Sequence, residues 1–202
     1  MGVSADRPNS IADLADVARA ALEALASPLV SSFLADWPAV PQSRRVDPTT
    51  LPVLRCLSTL TAATAAVAPE LVDTLQRSAS TLAWRQTYTA HELGADFLDN
   101  YAYTEILGLN GPRFSDRLAS GFLLLAADTL YPRHRHAAEE IYLPLVGTAE
   151  WQQGDTVWRS HPAGTVIHHR SEEAHAMRTR AEPLLALYLW RGDLAQKSRL
   201  AG

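Results

Sequence analysis

A single cysteine, Cys56, stands among the 202 residues, so this chain can build neither an internal disulfide nor a thiolate metal cluster. Positive charge is in short supply too. Lys and Arg number 18 against 22 Asp and Glu, the formal net charge is −4, and no basic run is dense enough to follow a nucleic-acid backbone. The longest apolar stretches, Gly121 to Ala127 and Leu184 to Trp190, fall far short of the roughly 18 to 20 residues a membrane span needs. The opening MGVSADRPNS has no basic segment leading into an apolar run, so no secretory signal is read and a cytoplasmic address is expected. Internal repeats and low-complexity tracts are absent from the sequence.

What remains is the composition of an ordinary globular protein, 47% hydrophobic and 20% charged. The length suits one core, or a barrel of about 90 residues with a helical appendage. Ile11, Leu14, Ala18, Ala21, Leu22 and Leu25 share one helical face, which predicts a helix over about 10–26 with Ser10 and Asp13 as a capping pair. A second helix is expected over about 52–67, with Leu54, Leu57, Leu60 and Val67 on one face and Pro69 as its stop. A third opens at Glu70 and runs through Leu71, Leu75 and Leu82. Beyond about Tyr88 short apolar stretches alternate with turn signals such as Asn110-Gly111-Pro112, Gly154-Asp155 and Pro162-Ala163-Gly164. The fold class expected is mostly β with α: a helical part over residues 1–87 packed on a C-terminal jelly-roll β-barrel over 88–202.

The segment from Tyr131 to Tyr142 carries the chemistry. Read as a strand, its alternate side chains His134, His136, Ala138, Glu140 and Tyr142 face one way. Two imidazoles, a carboxylate and a phenol on one inward face would be costly without a ligand, and a divalent ion satisfies them most simply. A lone His-x-His on an exposed strand is ordinary surface. Here, however, Glu140 follows His136 by four residues and Gly147 follows Glu140 by seven, which matches the first cupin motif, and Gly154, Pro162-Ala-Gly164 and Ala174-His175-Ala176-Met177 match the second. His168 and His169 compete with His175 for the last ligand position. Arg170 to Ala174 reads as a turn and His175 as the start of a strand, which favours His175 and leaves one of the other two for the pocket rim or a layer behind the ligands. Three imidazoles and a carboxylate suit one divalent transition metal ion, Zn, Fe, Mn, Co or Ni, without choosing among them. His91 and His161 read as surface or loop histidines.

At these residues the chain resembles the cupin-type dimethylsulfoniopropionate lyases, and among them the Q type. The resemblance rests on Tyr131-Pro-x-His-x-His-x-Ala-Glu-Glu-Ile-Tyr142, Pro162-Ala-Gly-Thr-x-Ile-His-His169, His175-Ala-Met177 and Leu187-Tyr-Leu-Trp-Arg-Gly-Asp193, and more loosely on Asn100-Tyr101 through Gly111-Pro112. About half the chain is covered tightly. It implies His134 or His136 with Glu140 and His175 as metal ligands, both histidines of the pair being kept as candidates, and Tyr142 as catalytic base. The reaction implied is β-elimination of dimethylsulfoniopropionate to dimethyl sulfide and acrylate. A sulfonium calls for aromatic faces, and Tyr131, Tyr188 and Trp190 are the candidates, with Tyr101 and Tyr103 behind them and His169 as a further substrate contact. Tyr188 and Trp190 share strand parity, whereas Trp151 and Trp158 read as packing. The partner expected is this small molecule, with a homodimer as the assembly allowed for. The rivals are another cupin enzyme, a dioxygenase or isomerase, and a non-catalytic metal or small-molecule binder. The second is weakened because no helix-turn-helix is evident.

Overall fold

The computed structural model describes residues 11–60 and 67–201. Helix α1, Ile11–Ala24, buries Leu14, Ala18 and Leu22 of the expected stripe and Ala15 beside them, while Ala21 and Leu25 are partly buried. Ser10, and with it the expected Ser10–Asp13 cap, lies outside the described residues. An unforeseen short helix α2, Pro28–Leu34, follows, with proline in its first turn and Ser27 capping Val30 N.

The second expected helix is a 3₁₀ helix over Pro52–Ser58, and residues 61–66 lie outside the described chain. Leu54, Leu57 and Leu60 recur every three residues, which is the period of a 3₁₀ helix. The third forms as α3, Pro69–Ser78, and tightens into a 3₁₀ turn at Ala79–Thr81. A further helix, α4, Ala90–Asp99, occupies sequence expected to be strand; a Thr89–Glu92 capping box starts it and Gly94 kinks it.

The strands make two sheets. The larger joins β1 (Gln42–Ser43), β4 (Arg113–Phe114), β3 (Tyr101–Gly108), β5 (Leu118–Leu125), β12 (Leu184–Arg191), β7 (Glu139–Val146) and β10 (Ile167–His169) in that order, with β2 (Trp84–Arg85) also on β3. The smaller runs β13 (Arg199–Leu200), β6 (Leu130–Arg135), β11 (His175–Thr179), β8 (Ala149–Gln153) and β9 (Arg159–His161). From β6 onward the chain passes back and forth between the sheets, the jelly-roll barrel of the cupins. Two short strands from the helical part, β1 and β2, extend the larger sheet.

That larger sheet is buried on both faces. Leu185, Leu187 and Leu189 of β12 join Phe122, Leu124, Ile141 and Leu143 in one core with the helices, while Leu184, Ala186 and Tyr188 point into the barrel with Trp151, Met177 and Leu125. Two-sided burial explains why β5 and β12 read as unbroken apolar runs and not as alternating ones. The helices of the N-terminal part thus back the sheet that carries half of the site.

Gly121 of β5 is a point where no side chain fits. A Cβ there would lie 1.8 Å from Thr104 O of the paired strand and 2.7 Å from the Tyr188 hydroxyl. We expect Gly121→Ala to force β3 from β5 and to lose at least the roughly 1–3 kcal/mol of an overpacked core. A thermal melt checks it; an unchanged midpoint would mean that the pairing is loose.

Candidate metal centre and its cavity

Strand β6 brings Tyr131 and His134 to the barrel interior from the smaller sheet, and β7 brings Glu140 and Tyr142 from the larger one. His136 and Ala138 lie in the connection between the strands. The stretch read as a single strand is therefore two, in facing sheets, and its inward residues still converge because both sheets line one interior. His134 pairs with His175 and Tyr131 with Met177, so two residues of β6, Pro132 and Arg133, stand against one of β11, Ala176. This bulge turns both Tyr131 and His134 inward, and their rings stack at 4.0 Å and 11°.

Strand register completes the cluster. His169 on β10 and Trp190 on β12 both pair with Glu140, one on each side of β7, and Tyr188 pairs with Tyr142. His134, His136, Glu140, His169 and His175 are at most 1% exposed. One potential ligand atom each from His134, His136 and His175 lies within 4.8 Å of the others, and the same holds for Glu140, His169 and His175.

Hydrogen bonds fix which nitrogens face inward. Nδ1 of His134, His136 and His175 each lies 2.8 Å from a main-chain carbonyl, of Pro132, Ala138 and Glu173 respectively. Each Nδ1 therefore carries a proton and donates it, which turns Nε2 toward the cluster. Nε2 of His136 is 3.0 Å and Nε2 of His175 is 3.3 Å from Glu140 Oε2. With its proton on Nδ1, the His175 nitrogen presents a lone pair to a carboxylate, and it has no hydrogen-bond partner. A lone pair facing an anion at the centre of a buried cluster is relieved by a cation between them, so these residues fit a divalent transition metal ion.

The electrostatics agree. Burial, and then His175, hold His134 well below the ordinary imidazole value, so its lone pair stays available. Burial would lower His136 as well, but Glu140 outweighs it and raises the imidazole. Burial opposes ionisation of Glu140, and the facing His136 and His175 overcome it, holding the carboxyl well below its usual range. For Tyr142, burial and then the Glu140 charge push the phenol well above its usual value.

A cavity of about 710 Å³ opens onto His134 and Glu140. Tyr131, Tyr142, Tyr188 and Trp190 line it, with Tyr101 and Tyr103 further along the wall. Trp190 also donates its indole N–H to Glu140 Oε1, and its ring lies 4.1 Å from that of His136. His136, His169 and His175 do not line this cavity; they sit behind it. Trp151 is packed inside the barrel, Trp158 lies under the Arg178 guanidinium, and His91 is exposed on α4.

Sequence reasoning missed the outer wall, made by Arg85, Gln86 and Thr87 beside β2 and by Leu194 to Ser198 ahead of β13. Tyr88 ties the two together by a 3.0 Å hydrogen bond to Ser198. Two-residue strands have no periodicity to read, so no signal marked these positions.

Comparison with known proteins places this geometry. The family model for dimethylsulfoniopropionate lyase matches residues 30–186. The dimethylsulfoniopropionate lyase DddQ of Ruegeria pomeroyi is 46% identical over 112 residues, which cover 55% of this chain and 55% of that protein. A putative dimethylsulfoniopropionate lyase, DddL, of Cereibacter sphaeroides is 36% identical over 121 residues, or 59% of this chain and 50% of the other. These alignments span about half the length of the curated relatives. Among solved structures, the crystal structure of DddQ from Ruegeria pomeroyi superposes with a TM-score of 0.86 at 33% identity, covering 96% of this chain and 98% of that one. A structure described with the lyases RdDddP and RnDddQII gives 0.86 at 29% identity over 95% and 97% of the two chains.

Proposed function

The chain belongs to the dimethylsulfoniopropionate lyase family, and on that footing we propose that it is a metal-dependent carbon–sulfur lyase that cleaves dimethylsulfoniopropionate to dimethyl sulfide and acrylate. The observation that carries the reading is the convergence, at one end of an aromatic cavity, of three inward-facing imidazole nitrogens, the Glu140 carboxylate and the Tyr142 phenol.

His134, His136, Glu140 and His175 would hold the ion. When bound, it supplies Lewis acidity that draws charge from the substrate carboxylate and acidifies the neighbouring C–H. Tyr142, as its phenolate, then takes the α proton and becomes the neutral phenol. The electron pair of that C–H bond forms the carbon–carbon double bond, and the C–S pair leaves with sulfur as neutral dimethyl sulfide. Tyr131, Tyr188 and Trp190 face the sulfonium with ring π-density, which attracts the cation and offers no nucleophile for it to alkylate. Burial of the site behind these rings keeps bulk water from the carbanion-like charge.

Headspace detection of dimethyl sulfide from the metal-loaded protein, with elemental analysis of the same sample, tests the proposal. Oxygen uptake during turnover would instead identify a dioxygenase. A cytoplasmic site of action belongs to the same proposal; no helix among the described residues is long and apolar enough to cross a membrane.

The aromatic wall has its own test. A desolvated cation–aromatic contact is worth about 2 kcal/mol, or about 30-fold in affinity. We expect Trp190→Ala to lose about that factor for the sulfonium substrate and much less for an uncharged thioether of similar shape. Trp190→Phe should keep part of the preference, since a ring face remains while the donor to Glu140 is gone. Equal losses for both ligands would leave Trp190 as packing alone.

A further inference from the structure

Four imidazoles crowd this site, and one of them is held the other way round. His169 Nδ1 lies 3.4 Å from the side-chain amide nitrogen of Gln153. That nitrogen is identified independently, because it also donates to the His168 carbonyl at 2.6 Å, a contact the amide oxygen could not make. An N–H group therefore faces His169 Nδ1. Were Nδ1 protonated, two donors would point at each other; the arrangement requires a lone pair on Nδ1 and places the proton of the neutral ring on Nε2.

Nε2 of His169 is buried and has no partner, and a nitrogen of the same ring lies within 4.8 Å of a Glu140 oxygen and a His175 ring nitrogen. Its ring stacks on His175 at 3.9 Å and 11°. Glu140 pairs with His169 across β7 and β10.

We infer that His169 is a positioning residue and not a fifth ligand: a neutral imidazole, fixed as the Nε2–H tautomer by Gln153, whose otherwise unpartnered N–H is there for the Glu140 carboxylate once the metal draws that carboxylate into place, and so sets the oxygen Glu140 presents to the metal. The other three histidines have the opposite arrangement, with Nδ1 protonated, so the same ring chemistry is divided by its main-chain and amide partners into acceptors and one donor. The chain thereby has a layer behind the ligands that is invisible from the cavity. This rests on the metal reading of the site but on no particular reaction.

Two measurements test it, and neither uses the substrate. Long-range proton–nitrogen correlation spectra of the metal-free protein, with signals identified by single substitutions, should show His169 protonated at Nε2 and His134 and His175 protonated at Nδ1. A His169 ring protonated at Nδ1 overturns the inference. The second is zinc affinity, measured by titrating the ion against a competing chelator. Glutamine can place an amide N–H where Nε2 stood, whereas asparagine's reaches only the Nδ1 position. His169→Gln should therefore bind zinc within a few fold of wild type, and His169→Asn about 10- to 100-fold more weakly, the usual cost of losing a partner behind a ligand. Equal loss in both variants, or none in either, sinks the positioning role. Failure of the lyase assay alone would leave both readouts standing.

Discussion

Tyr142→Phe is expected to lower turnover by at least the roughly 10²–10⁴-fold that a positioned acid–base group contributes, while metal content and fold remain those of wild type. The substitution keeps the ring, which packs beside Trp151 and His169 inside the barrel, and removes only the hydroxyl. A base must be deprotonated to act, and burial followed by the Glu140 charge holds this phenol in its neutral form well past the ordinary range. Activity should therefore rise with pH. A cation on Glu140 cancels part of the carboxylate's field and favours the phenolate, bringing the rise to lower pH. Any residual activity of the Phe variant should lack that limb. A metal-loaded Phe variant with near-normal turnover and an unchanged pH profile would assign the proton to another group.

The inward direction of the site's side chains is legible in the sequence, although it arises otherwise than by alternation along one strand. His134 and Glu140 come from facing sheets, and they share an inward direction because a barrel encloses one interior. Strand parity would also have separated Tyr131 from His134; the β-bulge that reunites them depends on pairing with β11, which no local pattern encodes. Placing His175 at the start of a strand worked for a local reason, since Arg170 to Ala174 contains no apolar alternation.

Elements set by distant partners were not legible. Helix α4 lies in the stretch beyond Tyr88 whose turn-punctuated texture reads as short strands, and the capping box of Thr89 and Glu92 is the sequence signal that marks it. Alternation cannot mark β5 and β12, where helices cover the outer face and make both sides apolar. The opposed tautomer of His169 lies beyond any sequence pattern, because Gln153 reaches it from the other sheet.

Substituting His175 should have the broadest effect of all, because it is the one residue common to both groups of closely spaced donors. In His175→Ala bound metal and activity should fall to background together, while the circular dichroism of helices and barrel persists, since neither apolar core includes this ring. Metal-dependent stability should vanish as well. For wild type, free metal at a thousand times its dissociation constant contributes about 4 kcal/mol, which in a domain of this size raises the melting midpoint by about 8–16 °C; the variant should show no such rise. The metal-free protein supplies the opposing case. Burial, and after it the neighbouring His175, hold His134 and His169 well below the imidazole value of the unfolded chain. Below about pH 6.5 the unfolded state therefore binds more protons at these two positions, and stability is lost as pH falls. His136, raised by Glu140 against its burial, works the other way only above about pH 6.5, where the folded state alone holds its proton; below that value both states are protonated there, so the two depressed imidazoles set the slope unopposed. Removing His175 takes away the second cause of both depressions, so the metal-free variant should be less sensitive to acid than metal-free wild type. A His175→Ala protein that keeps its metal, or one whose acid sensitivity matches that of wild type, would show that the ring stands outside the cluster it shares with His134, His136 and Glu140.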